Sequence, residues 1–139
     1  MTELSLDHAL TMLAAVVRQA RADGAVVAAT VLDAAGAAVA TQRMDGIFPA
    51  AATLADRKAF GALNCRMPTR EASGVFPEPI RQALVAAEPR ISFLHGGVPV
   101  LRDGAVAGAL GVAGGTGEQD AACCEAALAA LEELHVPVG

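Results

Sequence analysis

Val98-Pro99-Val100-Leu101-Arg102-Asp103-Gly104-Ala105-Val106-Ala107-Gly108-Ala109-Leu110-Gly111-Val112 reads as two apolar arms around one tight turn. Asp-Gly between apolar runs is a strong short-range hairpin signal, so strands are expected over 98–101 and 105–112. Beyond this hairpin, Thr116 followed by Gln119 forms a capping box, and an Ala/Leu-rich helix is expected to run to about residue 134. On the other side, the apolar run 91–94 reads as a further strand. Before it, Pro68, Pro77, Pro79 and Pro89 break up 64–90 and permit only short helices around 69–74 and 79–87. Pro49 suits the first turn of a helix over 50–63.

Nearer the N-terminus, β-branched residues in 25–32, turn chemistry at Asp33-Ala34-Ala35-Gly36 and a return over 37–43 predict a second hairpin. Leu6, Leu10, Leu13, Val17 and Ala20 mark an amphipathic helix over 5–21, with Ser5 as N-cap and Gly24 past its end. The order α-β-β-α-(α)-β-β-β-α predicts an α+β fold. One mainly antiparallel sheet of five strands is flanked by helices, in a single domain spanning 1–139.

Composition narrows the function. Hydrophobic residues make up 54% and charged residues 18%, which argues for a compact globule. Many of the hydrophobic residues are alanines, so the core must form by close approach of small side chains. Four Phe, no Trp or Tyr, and a net charge of −5 leave neither stacking platforms nor a basic face for nucleic acid. No run reaches the roughly 18 apolar residues of a membrane span. The start, Met1-Thr2-Glu3-Leu4-Ser5, does not read as a signal peptide. Cys65, Cys123 and Cys124 are odd in number and lack C-x-x-C spacing, so neither zinc nor a disulfide framework is expected and the compartment reads as reducing cytoplasm. High apolar content with little charge suggests a homo-oligomer, a dimer or higher.

Three groups of residues carry chemistry. Arg43, Met44 and Asp45 close the second strand, and Lys58, the single lysine, sits on the helix that follows. Arg43 can clamp a carboxylate, and Lys58 can act as a fixed charge or, if desolvated, as a nucleophile. A structural ion pair, with Asp45 on Arg43 or Lys58, explains the same residues. The loop Gly114-Gly115-Thr116-Gly117 opens a helix, so its amides can hold a carboxylate or phosphate, or serve only as a tight turn. No Gly-Lys-Ser/Thr and no G-x-G-x-x-G is present, which removes nucleotide-loop readings. His95 precedes Gly96-Gly97 at a strand mouth, and His8 opens the first helix; either could ligate haem iron or shuttle protons. His135 reads as a surface residue, and Met44 and Cys65 as packing residues. Cys123 and Cys124 project about 100° apart on their helix, one toward the core and one toward a protomer contact. Asp120 reads as a favourable charge at a helix start.

Several motifs in fixed order resemble the GlcG/HbpS-like family (DUF336). They are Val31-Leu32-Asp33-Ala34-Ala35-Gly36, Arg43-Met44-Asp45-Gly46, Lys58-Ala59, Pro68-Thr69, Gly96-Gly97-Val98-Pro99-Val100, residues 108–115 and Gln119-Asp120, over roughly 5–132. The resemblance implies a five-stranded antiparallel sheet with flanking helices, a profilin-like layer, assembled as dimers or larger oligomers. It also implies haem binding, as in HbpS-type proteins and the PduO C-terminal domain. The expected function is therefore a protein that holds haem or another carboxylated small molecule between sheet and helices, with Arg43, Met44, Gly96, Gly97, Gly114, Gly115 and Thr116 as binding residues. The alternative is a cofactor-independent lyase, isomerase or hydrolase, in which Arg43 orients an acid and Lys58, His95 and Asp45 do the chemistry.

Overall fold

The structure, a computed structural model, describes residues 3–134. The elements run α1 (Leu6–Ala22), β1 (Ala28–Asp33), β2 (Ala38–Arg43), α2 (Ala51–Cys65), α3 (Thr69–Val75), α4 (Glu78–Ala87), β3 (Gly97–Arg102), β4 (Ala105–Ala113) and α5 (Gly117–Glu133). The expected capping box at Thr116 and Gln119 forms, and Ser5, the expected N-cap, makes a second one with His8. Ser5 accepts from the His8 amide and Thr116 from that of Gln119. At the β3–β4 turn, Asp103 and Gly104 take φ of 53° and 79°, the paired positive values of a hairpin turn that follows the strands' twist.

Among the described residues the sheet has four antiparallel strands in the order β2-β1-β4-β3, which corrects the expected five. Residues 91–94 are the strand that does not form. Their backbone groups are satisfied elsewhere: the Ser92 amide donates to the Arg57 carbonyl on α2, and the Thr69 hydroxyl donates to the Leu94 carbonyl at 2.7 Å. A ladder needs those groups turned toward a neighbouring strand. A short apolar run shows its burial in sequence but not its partner, so Ile91 is buried here without belonging to the sheet.

Helices cover both faces of the sheet. On one face Leu13 and Val16 of α1 and Cys123, Ala127 and Leu131 of α5 pack against Ala29, Val31, Leu110 and Val112. On the other, Ala59 of α2, with Phe60 and Leu63 beside it, packs against Leu32 and Ala109. The buried side of α2 is Ala51, Ala55, Lys58, Ala59, Gly61 and Ala62; Ala55 and Ala59 meet Gly111 of β4, and Gly61 meets the Ser92 backbone. A Cβ at residue 111 would collide with the Ala55 carbonyl oxygen. The alanine-rich composition therefore serves helix-on-sheet contact at backbone distance. Both cysteines of the 123–124 pair are buried in this core, Cys123 toward the Val16 carbonyl and Cys124 toward that of Gly96. The expected protomer contact for one of them is corrected, because α5 is enclosed by α1 on one flank and the sheet on the other.

One side chain ties the β1–β2 turn to α2. Arg90 donates from Nε and Nη2 to the two Asp56 carboxylate oxygens, both at 2.9 Å, and from Nη2 to the Gly36 carbonyl at 2.7 Å, with its guanidinium 4.1 Å from the Phe60 ring centre. The pair is about one-third exposed, which limits its worth. Arg90→Ala is expected to cost about 1–2 kcal/mol, with Arg90→Lys losing most of that because one ammonium cannot make the forked contact. Urea midpoints of the two variants check this. Among the described residues no helix is long and apolar enough to cross a membrane.

Candidate functional site

Lys58 leaves the buried side of α2 at the level where β4 ends. Its Nζ donates to the Val112 carbonyl at 2.9 Å and to Asp120 Oδ2 at 3.0 Å. Lys58 is 5% exposed and Asp120 2%. The other Asp120 oxygen accepts from the Gly115 amide at 3.0 Å. One carboxylate in the first turn of α5 thus joins α2, β4 and the glycine loop. The anion that the lysine and the loop amides were expected to attract is, for these contacts, the chain's own. Asp120 is the buried partner of Lys58 that sequence reasoning missed, since a carboxylate in a first helical turn is already explained by the dipole.

Gly96 makes room for the pair. Its φ is 118°, and a Cβ there would lie 2.5 Å from the Val112 carbonyl oxygen, 2.9 Å from Asp120 Cβ and 3.1 Å from Lys58 Nζ. Gly97 packs against the Lys58 carbonyl and Thr69 in the same way, and its amide donates to the Thr69 hydroxyl at 3.1 Å. These glycines permit backbone approach beneath the site.

Above the ion pair is a cleft of about 530 Å³. Its walls are Phe48, Leu54, Phe93 and Leu94, its base is Lys58 and Asp120, and Gly114, Gly115, Gly117 and His95 form its rim. His95 is exposed and stands against the start of α5; a Cβ on Gly117 would come within 3.3 Å of the His95 Cβ and 3.5 Å of its Nδ1. Of the loop amides, Gly115 is taken by Asp120 and Thr116 by Gln119 Oε1 at 3.0 Å. The amides of Gly117 and Glu118 belong to the first helical turn, which has no internal acceptors for them.

The structure thus brings Lys58, His95, Gly114 and Gly115 together, with Gly96 and Gly97 packed below and Thr116 beside them as N-cap. It places the remaining expected site residues elsewhere. Arg43 and Asp45 are exposed and are not among the described lining residues of the cleft, and Lys58 pairs with Asp120 rather than with Asp45. Met44 packs on the core, its sulfur accepting from the Val27 amide at 3.4 Å. His8 lies beside Arg102, with Nδ1 3.2 Å from the guanidinium. It therefore sits at the far end of β3 from His95, a strand of six residues that spans roughly 17–20 Å. One iron cannot reach both within a protomer. His135 lies outside the described residues.

The remaining thiols are poor ligands. Burial, helped by Asp120 and Asp23, pushes the Cys123 thiol up to about 11, and burial raises Cys124 as well. Cys65, half-buried at the end of α2, is also raised by burial. Among the described residues no group of three or more His, Cys, Asp or Glu is placed to hold a metal ion.

A four-stranded antiparallel sheet between helices, with a largely apolar cleft over a buried ion pair, defines an α+β domain of the layered sheet-and-helix type. The chain belongs to the family described as haem degrading protein HbpS-like, whose model matches residues 4–129. It is 35% identical over 133 residues to an uncharacterized 15.0 kDa protein of Citrobacter freundii from the dhaT-dhaS intergenic region, covering 94% of each chain. Among solved structures it superposes on Klebsiella pneumoniae ORFY with a TM-score of 0.86 and 34% identity, covering 93% of this chain and 90% of that one. It also superposes on the protein of the PduOC:heme complex with a TM-score of 0.85 and 28% identity, covering 92% and 94%.

Proposed function

We propose that this protein holds haem, or another anionic ring-bearing small molecule, in the cleft between α2, residues 93–95 and the glycine loop. The observation that carries the reading is the cleft itself. Its volume falls in the range of ligand sites, its walls are four apolar side chains, and its polar groups are few and convergent. A relative of the same fold is a haem complex, which supports haem as a candidate.

The residues present fit a porphyrin. Phe48, Leu54, Phe93 and Leu94 offer apolar walls, two of them aromatic, and His95 at the rim would offer an imidazole nitrogen to the iron. When bound, haem would supply a redox-active iron. The chain's own part is to exclude water with the apolar walls, to present His95, and to hold the floor of the cleft in place through the Lys58–Asp120 pair. Three free cysteines fit a reducing cytoplasm. α4, which has no buried residue and exposes Ile80 and Val85, is consistent with association of copies.

Hemin titration tests the reading. A Soret band is expected with the wild type, displaced or lost in His95→Ala and unchanged in His8→Ala. Loss only in His8→Ala would put the iron at the other end of β3 and remove the cleft from the account. No band in the wild type would exclude haem.

A further inference from the structure

The cleft continues into a second lobe. A depression of about 690 Å³ shares Leu54, Ser73, Phe93 and Leu94 with it, so the two form one groove running from the glycine loop to α4. The far wall of the second lobe is apolar, made by Val85, Ala86, Pro89 and Ile91. Two guanidinium groups line this lobe, and they are not equivalent. Arg81 is committed to the fold: its Nη1 donates to the carbonyls of Ser73 and Phe76, fastening α4 to α3. Arg57 is exposed on α2, and among the described residues its guanidinium makes no ion pair and no hydrogen bond.

Charge along the groove leaves one position uncompensated. In the first lobe Lys58 is neutralised by Asp120 at 3.0 Å. In the second, Glu78, itself bonded to Gln82, is the one carboxylate among the lining residues against two guanidinium groups, and Arg81 is held by backbone carbonyls. Arg57 remains. On a chain of net charge −5, long-range attraction cannot draw an anion in, so a local cation has to do it. We infer that Arg57 is the anion anchor of the groove. The ligand class is an amphipathic molecule with an aromatic or polycyclic body on Phe93 and Leu94 and a carboxylate, or a like oxyanion, on the guanidinium of residue 57. A planar guanidinium matches such a group with two parallel hydrogen bonds. This rests on the cleft being a small-molecule site, and it moves the anion contact from Arg43 at the end of β2, where the sequence suggested it, to Arg57 on α2.

Two dyes with one ring body separate the two ideas. 1-Anilinonaphthalene-8-sulfonate is anionic, N-phenyl-1-naphthylamine is its neutral counterpart, and both brighten in apolar sites. The chain has no Trp or Tyr to interfere. Arg57→Gln is expected to weaken the sulfonate dye roughly fivefold at low salt while leaving the neutral dye unchanged, and Arg43→Gln to change neither. Far-UV circular dichroism and a thermal melt confirm that the variants fold. If Arg57→Gln binds the sulfonate dye as tightly as the wild type, or weakens both dyes equally, or if Arg43→Gln gives the larger loss, the anchor is overturned while the groove stands. If neither dye binds the wild type, the groove is not a ligand site and the underlying reading fails with it.

Discussion

Lys58→Met is expected to cost about 3–5 kcal/mol of stability, the range for removing one partner of a buried ion pair. Methionine matches the lysine stem in length, so the loss is not a cavity effect. It comes from what is left behind: an Asp120 carboxylate at 2% exposure with only the Gly115 amide as donor, and a Val112 carbonyl without its ammonium. Asp120→Asn is expected to be destabilising too, since it strands the ammonium. The double variant Lys58→Met/Asp120→Asn should lose less than the sum of the singles, because no charge remains to be buried and the amide oxygen can still accept from Gly115. Urea unfolding of the four proteins gives the coupling. Additive losses would show that the pair does not act as a unit, and a fully stable Lys58→Met would show that the carboxylate finds solvent. The consequence for function is practical. A loss of ligand binding in Lys58→Met cannot be read as loss of a contact or of a nucleophile until the folded fraction is known.

That double role explains why the site was only partly legible in the sequence. The helices and hairpins announce themselves locally, through Ser5, Thr116 with Gln119, and Asp103-Gly104, because their signals lie within a few residues of what they control. Residues 91–94 have the right composition for a strand, yet their backbone partners are Arg57 and Thr69, more than twenty residues away, and nothing in the run itself tells of them. Lys58 stands out as the single lysine, and a structural ion pair is among the readings of it. The partner was taken from nearby in sequence, Asp45, whereas the fold supplies Asp120 from 62 residues further on. The Gln119-Asp120 motif held the missing signal. An acid in a first helical turn needs no partner to account for it, so its burial shows only in three dimensions. Arg43 illustrates the converse. A strand-to-helix junction rich in charge reads as a site, but β2 is an edge strand and its last residue ends in solvent.

Gly111→Val is the other substitution expected to have a large effect, at about 3 kcal/mol or more, the upper end for overpacking. Most overpacked cores relax by turning side chains, and here that route is closed. The first atom added meets the Ala55 carbonyl oxygen and comes within 2.7 Å of the Ala59 backbone nitrogen, so α2 as a whole would have to lift from β4. Lifting α2 pulls Lys58 away from Val112 and Asp120 and also moves Leu54 and Arg57 in the groove wall. The lost stability and the lost binding should therefore appear together. Gly111→Ala is expected to share the sign, because a single Cβ already makes the collision. Gly74→Ala in α3 tests the other side of the reasoning: a Cβ there has nothing within 4 Å and the backbone is helical, so the change should be neutral or stabilise by roughly 0.5–1 kcal/mol. If Gly111→Ala instead melts with the wild type, α2 does not rest on the sheet at backbone distance. The alanines at 51, 55, 59 and 62 would then need another explanation.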